Sequence, residues 1–176
     1  MQQDRLELLI SQDQIAQKIA EAARQIDVDY LGQELVIVMV MKGALCLTAD
    51  LIRTLKTLVT IEPVRASSYG QRGMSAGKLT IEGLSELDLS SKHVLLVDDI
   101  YDSGQTLSHL VSKIREKNPK TLKTLVLLSK NVKRNSTYAP DYVLFHIENL
   151  FVIGYGLDYK EHYRGLPDIY VLTEEP

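Results

Sequence analysis

The sequence contains a single cysteine, Cys46, among its 176 residues. One cysteine excludes a disulfide within the chain, and it leaves no Cys/His cluster of the kind that binds zinc. We therefore expect any metal ion to be bound through oxygen.

Long apolar runs and an excess of basic residues are also missing. No stretch approaches the roughly 20 apolar residues that a membrane-spanning helix needs, and the first residues, MQQDRLELLI, lack the basic start and apolar core of a secretory signal. The net charge is −3, whereas a general nucleic-acid binder needs a basic face. We expect a cytoplasmic protein that binds neither membranes nor nucleic acid, with one candidate local basic patch at Lys130, Lys133 and Arg134.

The strand and helix signals alternate along the chain. Residues 35–40 (LVIVMV), 94–97 and 121–128 are continuous apolar runs of the kind found in strands buried on both faces. Helical spacing follows the first two runs, which predicts an α/β domain over residues 1–176 with a mostly parallel sheet and right-handed crossovers. The shorter β-type runs at residues 142–147, 151–155 and 169–172 are placed in a small subdomain above the carboxyl edge of that sheet.

Two further segments complete the predicted domain. Ser11 and Gln14 form a capping-box pattern at the start of a covering helix that ends at Gly32. Residues 58–67 predict a strand that Pro63 restricts to an edge or bulged position. The glycine-rich residues 68–78 that follow contribute little core, so we expect a mobile loop between two arms of a hairpin.

The most informative stretch is VLLVDDIYDSGQTL at residues 94–107. Asp98 and Asp99 come at the carboxyl end of the predicted strand, where ligands bind in open α/β sheets. The turn at residues 102–106 (DSGQT) precedes a helix whose first N–H groups have no internal partners, so an anion fits there. An acid pair alone is often a solvated strand end, and Asp-Ser-Gly alone is a common turn signal. The whole sequence in one register predicts a phosphate-binding loop beside carboxylates.

This stretch resembles the signature by which type I phosphoribosyltransferases bind 5-phosphoribosyl-1-pyrophosphate. Other segments resemble the 6-oxopurine branch of the family, the hypoxanthine or hypoxanthine-guanine phosphoribosyltransferases. The most specific of them is the segment at residues 151–159 with Arg164, which matches the purine-binding hood of that branch. The phosphoribosyl motif is shared across the whole family, whereas this hood is not. The segments that carry the resemblance are Met41-Lys42-Gly43, Ser68-Tyr69, residues 94–107, residues 127–130 (LLSK), and FVIGYGLDY at 151–159 with Arg164.

The resemblance implies the type I phosphoribosyltransferase fold, with a hood formed by the N- and C-terminal segments and a flexible lid at about residues 67–80. It implies transfer of the phosphoribosyl group to N9 of hypoxanthine or guanine, giving IMP or GMP and pyrophosphate in purine salvage. Mg²⁺ is the implied cofactor, and a homodimer or homotetramer is the implied assembly.

The resemblance also assigns roles to residues of the purine and metal sites. Asp102 matches the general base, with a helix N-cap as its alternative role. Lys130 matches the lysine that donates to the purine 6-oxo group; an ammonium cannot accept a hydrogen bond, so it disfavours adenine, and its alternative is a solvated strand end. Phe151 would stack on the base beside the backbone of Val152, with a place in the core as its alternative.

Other residues are assigned to the phosphoribosyl donor and the metal. The Lys42–Gly43 turn matches one whose peptide is cis in related structures. Asp98 stands where many relatives carry Glu, so its reach is a methylene shorter. Arg134 stands where the resemblance places a further basic residue that helps to order the site. The metal ligands implied are Asp98, Asp99 and Asp158. The donor-binding residues implied are Lys42, Gly43, Ser68, Tyr69, Asp98, Asp99, Ser103, Gly104, Gln105, Thr106 and Arg164.

Two other functions fit part of the sequence. A regulatory protein that senses phosphoribosyl pyrophosphate would keep the phosphate loop, but it would be expected to carry a basic face or an added segment. A transferase for xanthine or another base differs only in its acceptor. The sequence does not rank hypoxanthine, guanine and xanthine.

Overall fold

The structure, a computed structural model, describes residues 5–69, 78–134 and 138–173. The elements in these ranges are β1 Arg5–Ile10, α1 Gln12–Asp29, β2 Leu35–Met41, α2 Leu45–Thr54, β3 Val59–Tyr69, β4 Lys78–Glu82, β5 His93–Tyr101, α3 Gln105–Arg115, β6 Thr121–Lys130, β7 Tyr142–Ile147, β8 Val152–Ile153 and β9 Ile169–Thr173.

A six-stranded sheet in the order β4-β3-β2-β5-β6-β7 forms the centre of the fold. Its strands are parallel except β4, which pairs antiparallel with β3. Along β2 and β5, Ile37 and Leu95 pack with residues of α1 and α2, whereas Val38 and Leu96 pack with residues of α3. Helices therefore cover both faces, which explains why β2 is apolar throughout and β5 is apolar at residues 94–97.

A second, three-stranded sheet in the order β1-β9-β8 is antiparallel. One prediction about the short strands is wrong, and one strand was not predicted. The sequence predicts residues 142–147 in the small subdomain, but β7 pairs parallel with β6 and extends the central sheet, where Leu144 and Ile147 join the main core. Strand β1 was missed because its partner β9 lies at the other end of the chain, with Arg5 opposite Thr173, and such a pairing leaves no local signal.

The local predictions about α1 and β3 agree with the structure. The Ser11 side chain accepts from the Gln14 N–H at 3.3 Å and the Gln14 side chain accepts from the Ser11 N–H at 2.9 Å, so the capping box is present. Helix α1 ends at Asp29, and Gly32 lies in the following turn with φ +70°. Strand β4 pairs with β3 only from Arg65 onwards. Pro63 therefore lies where that side of β3 has no strand partner among the described residues.

Within the described ranges, no helix combines the length and the apolar character that crossing a membrane requires. Most of the predicted lid, at residues 70–77, lies outside the described residues.

Candidate active site

The predicted site residues gather at the carboxyl edge of the central sheet. The sequence predicted Asp98 and Asp99 at the carboxyl end of the strand. Strand β5 continues past them to Tyr101, so both acids lie within the strand, close to its carboxyl end. Gly43 follows β2, and Lys130 is the last residue of β6. Because β2 and β6 are the two neighbours of β5, their ends meet around the acid pair.

The acid pair is enclosed by the fold. Asp98 is 5% exposed, so the interpretation as a solvated strand end is wrong. Burial raises the pKa of Asp98, and the neighbouring charge of Asp99 raises it further; burial also raises the pKa of Asp99. Two neighbouring carboxylates, Asp98 buried and Asp99 partly buried, are poised to share a proton or to hold a cation.

Replacing Asp98 by Asn is expected to raise the melting temperature by several degrees at neutral pH. The pKa of Asp98 is higher in the folded chain than in the unfolded one, so the folded chain binds more protons and its stability falls as the pH rises through that pKa. The variant does not lose this stability. The difference in melting temperature between the variant and the wild type should therefore shrink as the pH falls to about 4, the ordinary Asp pKa.

Thermal melts of both proteins between neutral and acidic pH test this expectation. Asp88→Asn, at an exposed position in the loop before β5, is the control for loss of one negative charge. An Asp98→Asn advantage that did not change with pH would contradict the raised pKa.

The predicted phosphate loop turns at Gly104, which has φ +79° and stands at the N-cap of α3 without making a side-chain hydrogen bond. Asp102 is therefore not the helix cap, and that alternative is wrong. The Ser103 hydroxyl accepts from the Gln105 N–H at 3.4 Å, while Thr106 lies in the first turn of α3. The loop thus presents hydroxyls and first-turn N–H groups together, which suits an oxyanion.

Asp102 and Lys130 form an ion pair, with the Lys130 Nζ 3.2 Å from Asp102 Oδ2. The pairing register sets Tyr101 opposite Ser129, which brings the two following residues side by side. The Lys130 side chain is 12% exposed and that of Asp102 is 51% exposed, so Lys130 is not a solvated strand end. The structure brings together the predicted base and the predicted purine-reading lysine.

Arg134 fastens these two strand ends to each other. Its Nε donates to the Asp102 carbonyl at 2.7 Å, and its guanidinium donates to the carbonyls of Tyr101 and Lys130. The guanidinium carbon also lies 4.2 Å from the centre of the Tyr101 ring. The resemblance placed at this position a basic residue that helps to order the site. Its partners could not be predicted, because backbone carbonyls leave no pattern in the side chains.

The predicted purine-binding hood follows β7. Phe151 is 51% exposed and meets the Tyr159 ring edge-on at 5.7 Å, so it is not a core residue. Val152 is buried in β8, which is shorter than the predicted strand because the chain turns at Gly154.

Residues 154–164 pack on the turn after β2. Gly156 has φ +98°, and a Cβ there would lie 2.2 Å from the Gly43 carbonyl oxygen. Arg164 donates to the Gly156 carbonyl at 2.7 Å and pairs with Asp158 at 2.7 Å, while its Nε is buried without a hydrogen-bond partner. The cis peptide is Met41–Lys42, one bond before the predicted Lys42–Gly43 bond.

Glu161 was not predicted from the sequence. Its carboxylate lies 2.7 Å from Lys42 Nζ and 3.6 Å from the Arg164 guanidinium. An exposed acid in a polar turn carries no local signal of such a role. Ser68 and Tyr69 belong to the end of β3, opposite Leu79 and Lys78, but their side chains lie outside the described residues.

No cluster of three or more His, Cys, Asp or Glu side chains that could hold a metal occurs in the described part of the chain. The predicted ligands lie in two places. Asp98 and Asp99 are adjacent in β5, where Asp98 is buried, and Asp158 lies beside Arg164. Mg²⁺ is commonly held by one or two carboxylates together with substrate phosphates and waters. The oxygen donors of either place fit such an ion.

The known proteins that this chain resembles are phosphoribosyltransferases or contain such a domain. The model of the phosphoribosyl transferase domain matches residues 9–160. The bifunctional protein TilS/HprT of Listeria innocua is 39% identical over 99% of the chain, which spans only 27% of that relative's length. The hypoxanthine-guanine phosphoribosyltransferase of Aquifex aeolicus is 37% identical over 97% of this chain and 96% of its own. A crystal structure of a hypoxanthine-guanine phosphoribosyltransferase from Bacillus anthracis superposes with a TM-score of 0.90 at 38% identity, covering 97% of this chain and all of the other.

Proposed function

Since the chain belongs to the phosphoribosyltransferase family, we propose that it transfers the phosphoribosyl group of 5-phosphoribosyl-1-pyrophosphate to N9 of hypoxanthine or guanine, as the resemblance implied. The products are IMP or GMP and pyrophosphate, which is a purine salvage reaction. The observation that carries the proposal is the Asp102–Lys130 pair, set between the acid pair of β5 and the anion-binding turn of α3. The bond from C1′ to pyrophosphate breaks, the bond from C1′ to N9 forms, and the purine loses one ring proton.

Asp102 is assigned to take that proton. Its carboxylate is half-exposed and aligned by the Lys130 ammonium, while its backbone is fixed by Arg134. A general base must be held within hydrogen-bond reach of the atom it deprotonates. The two contacts give Asp102 a defined position without enclosing it.

Lys130 is assigned to the 6-oxo group of the purine. Its ammonium donates hydrogen bonds and accepts none, so a 6-amino group cannot take the place of the oxygen. Turnover should therefore be measured separately with hypoxanthine, guanine, xanthine and adenine, in the presence of the donor and Mg²⁺. Activity with hypoxanthine or guanine but not with adenine supports the proposal, and turnover of xanthine tests the alternative acceptor.

Lys130→Met is expected to lower kcat/KM for hypoxanthine by about 100-fold, because the 6-oxo group loses its donor and Asp102 loses its alignment. Turnover with adenine should stay at its low level, so that the preference for oxopurines narrows. Lys120→Met is the matched control, since Lys120 is exposed and lies at the opposite end of β6. Equal losses for both variants would argue against a purine contact.

The phosphoribosyl donor is assigned to two surfaces. Residues Ser103, Gly104, Gln105 and Thr106 hold the 5′-phosphate at the start of α3, where partial positive charge favours an anion. Lys42, Gly43 and Arg164 face the pyrophosphate. Ser68 and Tyr69 begin the lid that would exclude water from the reacting atoms.

Asp98 and Asp99 are the residues that would hold Mg²⁺, with Asp158 as a second place of contact. When bound, the ion neutralises part of the charge on the leaving pyrophosphate. Asp98 and Asp99 would provide the negative charge that selects a cation there. Phe151 and Val152 are assigned to the purine base.

A homodimer or homotetramer is proposed for the assembly. Val28, Leu31 and Leu58 are exposed apolar side chains, and the end of α1 is tied to the segment before β3 because Asp27 accepts hydrogen bonds from the N–H groups of Lys56 and Thr57. A single species of 19.8 kDa in sedimentation would contradict this assembly. The cytoplasmic location stays a prediction.

A further inference from the structure

Glu161 engages both of the cations that the proposed function assigns to pyrophosphate. Its carboxylate lies 2.7 Å from Lys42 Nζ and 3.6 Å from the Arg164 guanidinium. Lys42 follows β2 and Arg164 belongs to the segment after β8, so the two come from separate parts of the fold. The Glu161 carboxylate therefore contacts both cations, as the bound pyrophosphate is proposed to do.

The position of Glu161 is imposed by its backbone. Lys160, Glu161 and Tyr163 have φ values of +50°, +67° and +72°, a region that residues other than glycine seldom adopt. Reciprocal backbone hydrogen bonds between Tyr159 and His162, at 3.2 and 3.0 Å, close the turn. The Glu161 N–H also donates to Asp158 Oδ2 at 2.9 Å. A conformation held against its intrinsic preference by several contacts is a built feature of the fold.

The two contacts of Arg164 differ in exposure. Asp158 lies 2.7 Å from the Arg164 guanidinium and its side chain is 30% exposed, whereas Glu161 lies 3.6 Å from the guanidinium and its side chain is 65% exposed. The Lys42–Glu161 pair is exposed as well, at 46% and 65%. Exposed pairs are weakened by water and salt and exchange readily. Asp158 therefore keeps Arg164 in place. The backbone of Glu161 is fixed by the turn, but its carboxylate is held loosely enough to be displaced.

We propose that Glu161 is a built-in competitor of pyrophosphate, a positioning residue that holds Lys42 and Arg164 and is displaced when pyrophosphate or the donor binds. The inference rests on the proposed function, which assigns those two cations to the leaving group. Displacement opposes binding in two ways, because the cations must leave their carboxylate and the carboxylate then faces another anion. The effect is to weaken the hold on pyrophosphate and to speed its release.

The test is the affinity for inorganic pyrophosphate, measured by isothermal titration calorimetry with Mg²⁺ on the intact chain. Glu161→Gln keeps the shape of the side chain and removes its charge, and it is expected to bind pyrophosphate about tenfold more tightly than the wild type. Glu86→Gln is the matched control, because Glu86 is exposed and lies in the loop after β4, and it should change the affinity less than about twofold. In the forward reaction, Glu161→Gln should be inhibited by pyrophosphate at a concentration about tenfold lower.

Three results would overturn the inference. Glu161→Gln could bind pyrophosphate no more tightly than Glu86→Gln, or it could bind more weakly, which would make Glu161 an aid to binding. Wild-type turnover of hypoxanthine, measured in parallel, would show that the proposed function stands in both cases. A wild type with neither turnover nor affinity for pyrophosphate would instead remove the proposed function and the inference with it. Equal melting temperatures of the three proteins establish that the comparison is between folded chains.

Discussion

Asp102→Asn is expected to lower kcat for hypoxanthine by about 10²- to 10⁴-fold, the usual contribution of a general base. The amide keeps the size of the carboxylate, and the hydrogen bond from Arg134 goes to the backbone carbonyl and not to the side chain. The loop should therefore keep its shape, and the KM of both substrates should change by only a few fold. Steady-state kinetics with the donor and hypoxanthine varied in turn measure both quantities.

The assignment of Asp102 as the base requires that the variant lose kcat while the KM of both substrates changes little. The control is Asp88→Asn, which makes the same chemical change at an exposed position away from the α3 turn and should leave kcat unaltered. An Asp102→Asn enzyme with normal kcat would show that another group takes the purine proton. A rise in KM with normal kcat would indicate that Asp102 contributes to binding through Lys130.

Features written into short stretches could be predicted from the sequence. The strands β2, β5 and β6 were recognised because burial on both faces requires apolar residues at consecutive positions, and the fold that this alternation predicted is confirmed by the superposition on a solved structure. The capping box of α1 is local because the side chains of Ser11 and Gln14, three residues apart, bind each other's N–H groups. The open edge at Pro63 is local because proline has no N–H group to donate. Such features are the same in every fold that uses them.

Features that depend on distant pairing were not visible. Strand β1 takes its conformation from β9, and β7 was assigned to the wrong sheet because a short strand is defined by the partner it finds. Arg134 acts on backbone carbonyls, and Glu161 acts on cations from another part of the chain. The family resemblance supplied most of the other candidate residues, and the structure shows that Asp102 with Lys130, and Gly43 with Asp99, are neighbours in space.

Gly43→Ala is expected to abolish most of the activity and to destabilise the fold. A Cβ built on Gly43 would lie 1.6 Å from Asp99 Oδ2 and 2.3 Å from Asp99 Cγ, far inside the distance at which atoms repel. Gly43 has no positive φ, so its requirement is for space alone. The Asp99 carboxylate cannot easily move aside, because Asp99 is in β5 beside the buried Asp98. Gly43 cannot move away either, because Gly156 packs closely against its carbonyl.

The size of the effect follows from these contacts. Overpacking a filled site costs about 3 kcal/mol, which for a chain of this length lowers the melting temperature by about 6–12 °C. Displacing Asp99 by about 1 Å is enough to reduce kcat/KM by about 100-fold, since catalytic groups tolerate little misplacement. Thermal melts and initial rates on the same preparation measure the two losses together.

Gly165→Ala is the matched control, because a Cβ at Gly165 meets nothing within 4 Å and its φ is not positive. This variant should melt and turn over like the wild type, which separates crowding at Asp99 from the general effect of losing a glycine. If Gly43→Ala were as stable as Gly165→Ala but inactive, Asp99 would be free to move aside, and the glycine would serve the approach of the pyrophosphate alone. If both variants were stable and active, the close packing of Gly43 on Asp99 would not be a feature of the working enzyme.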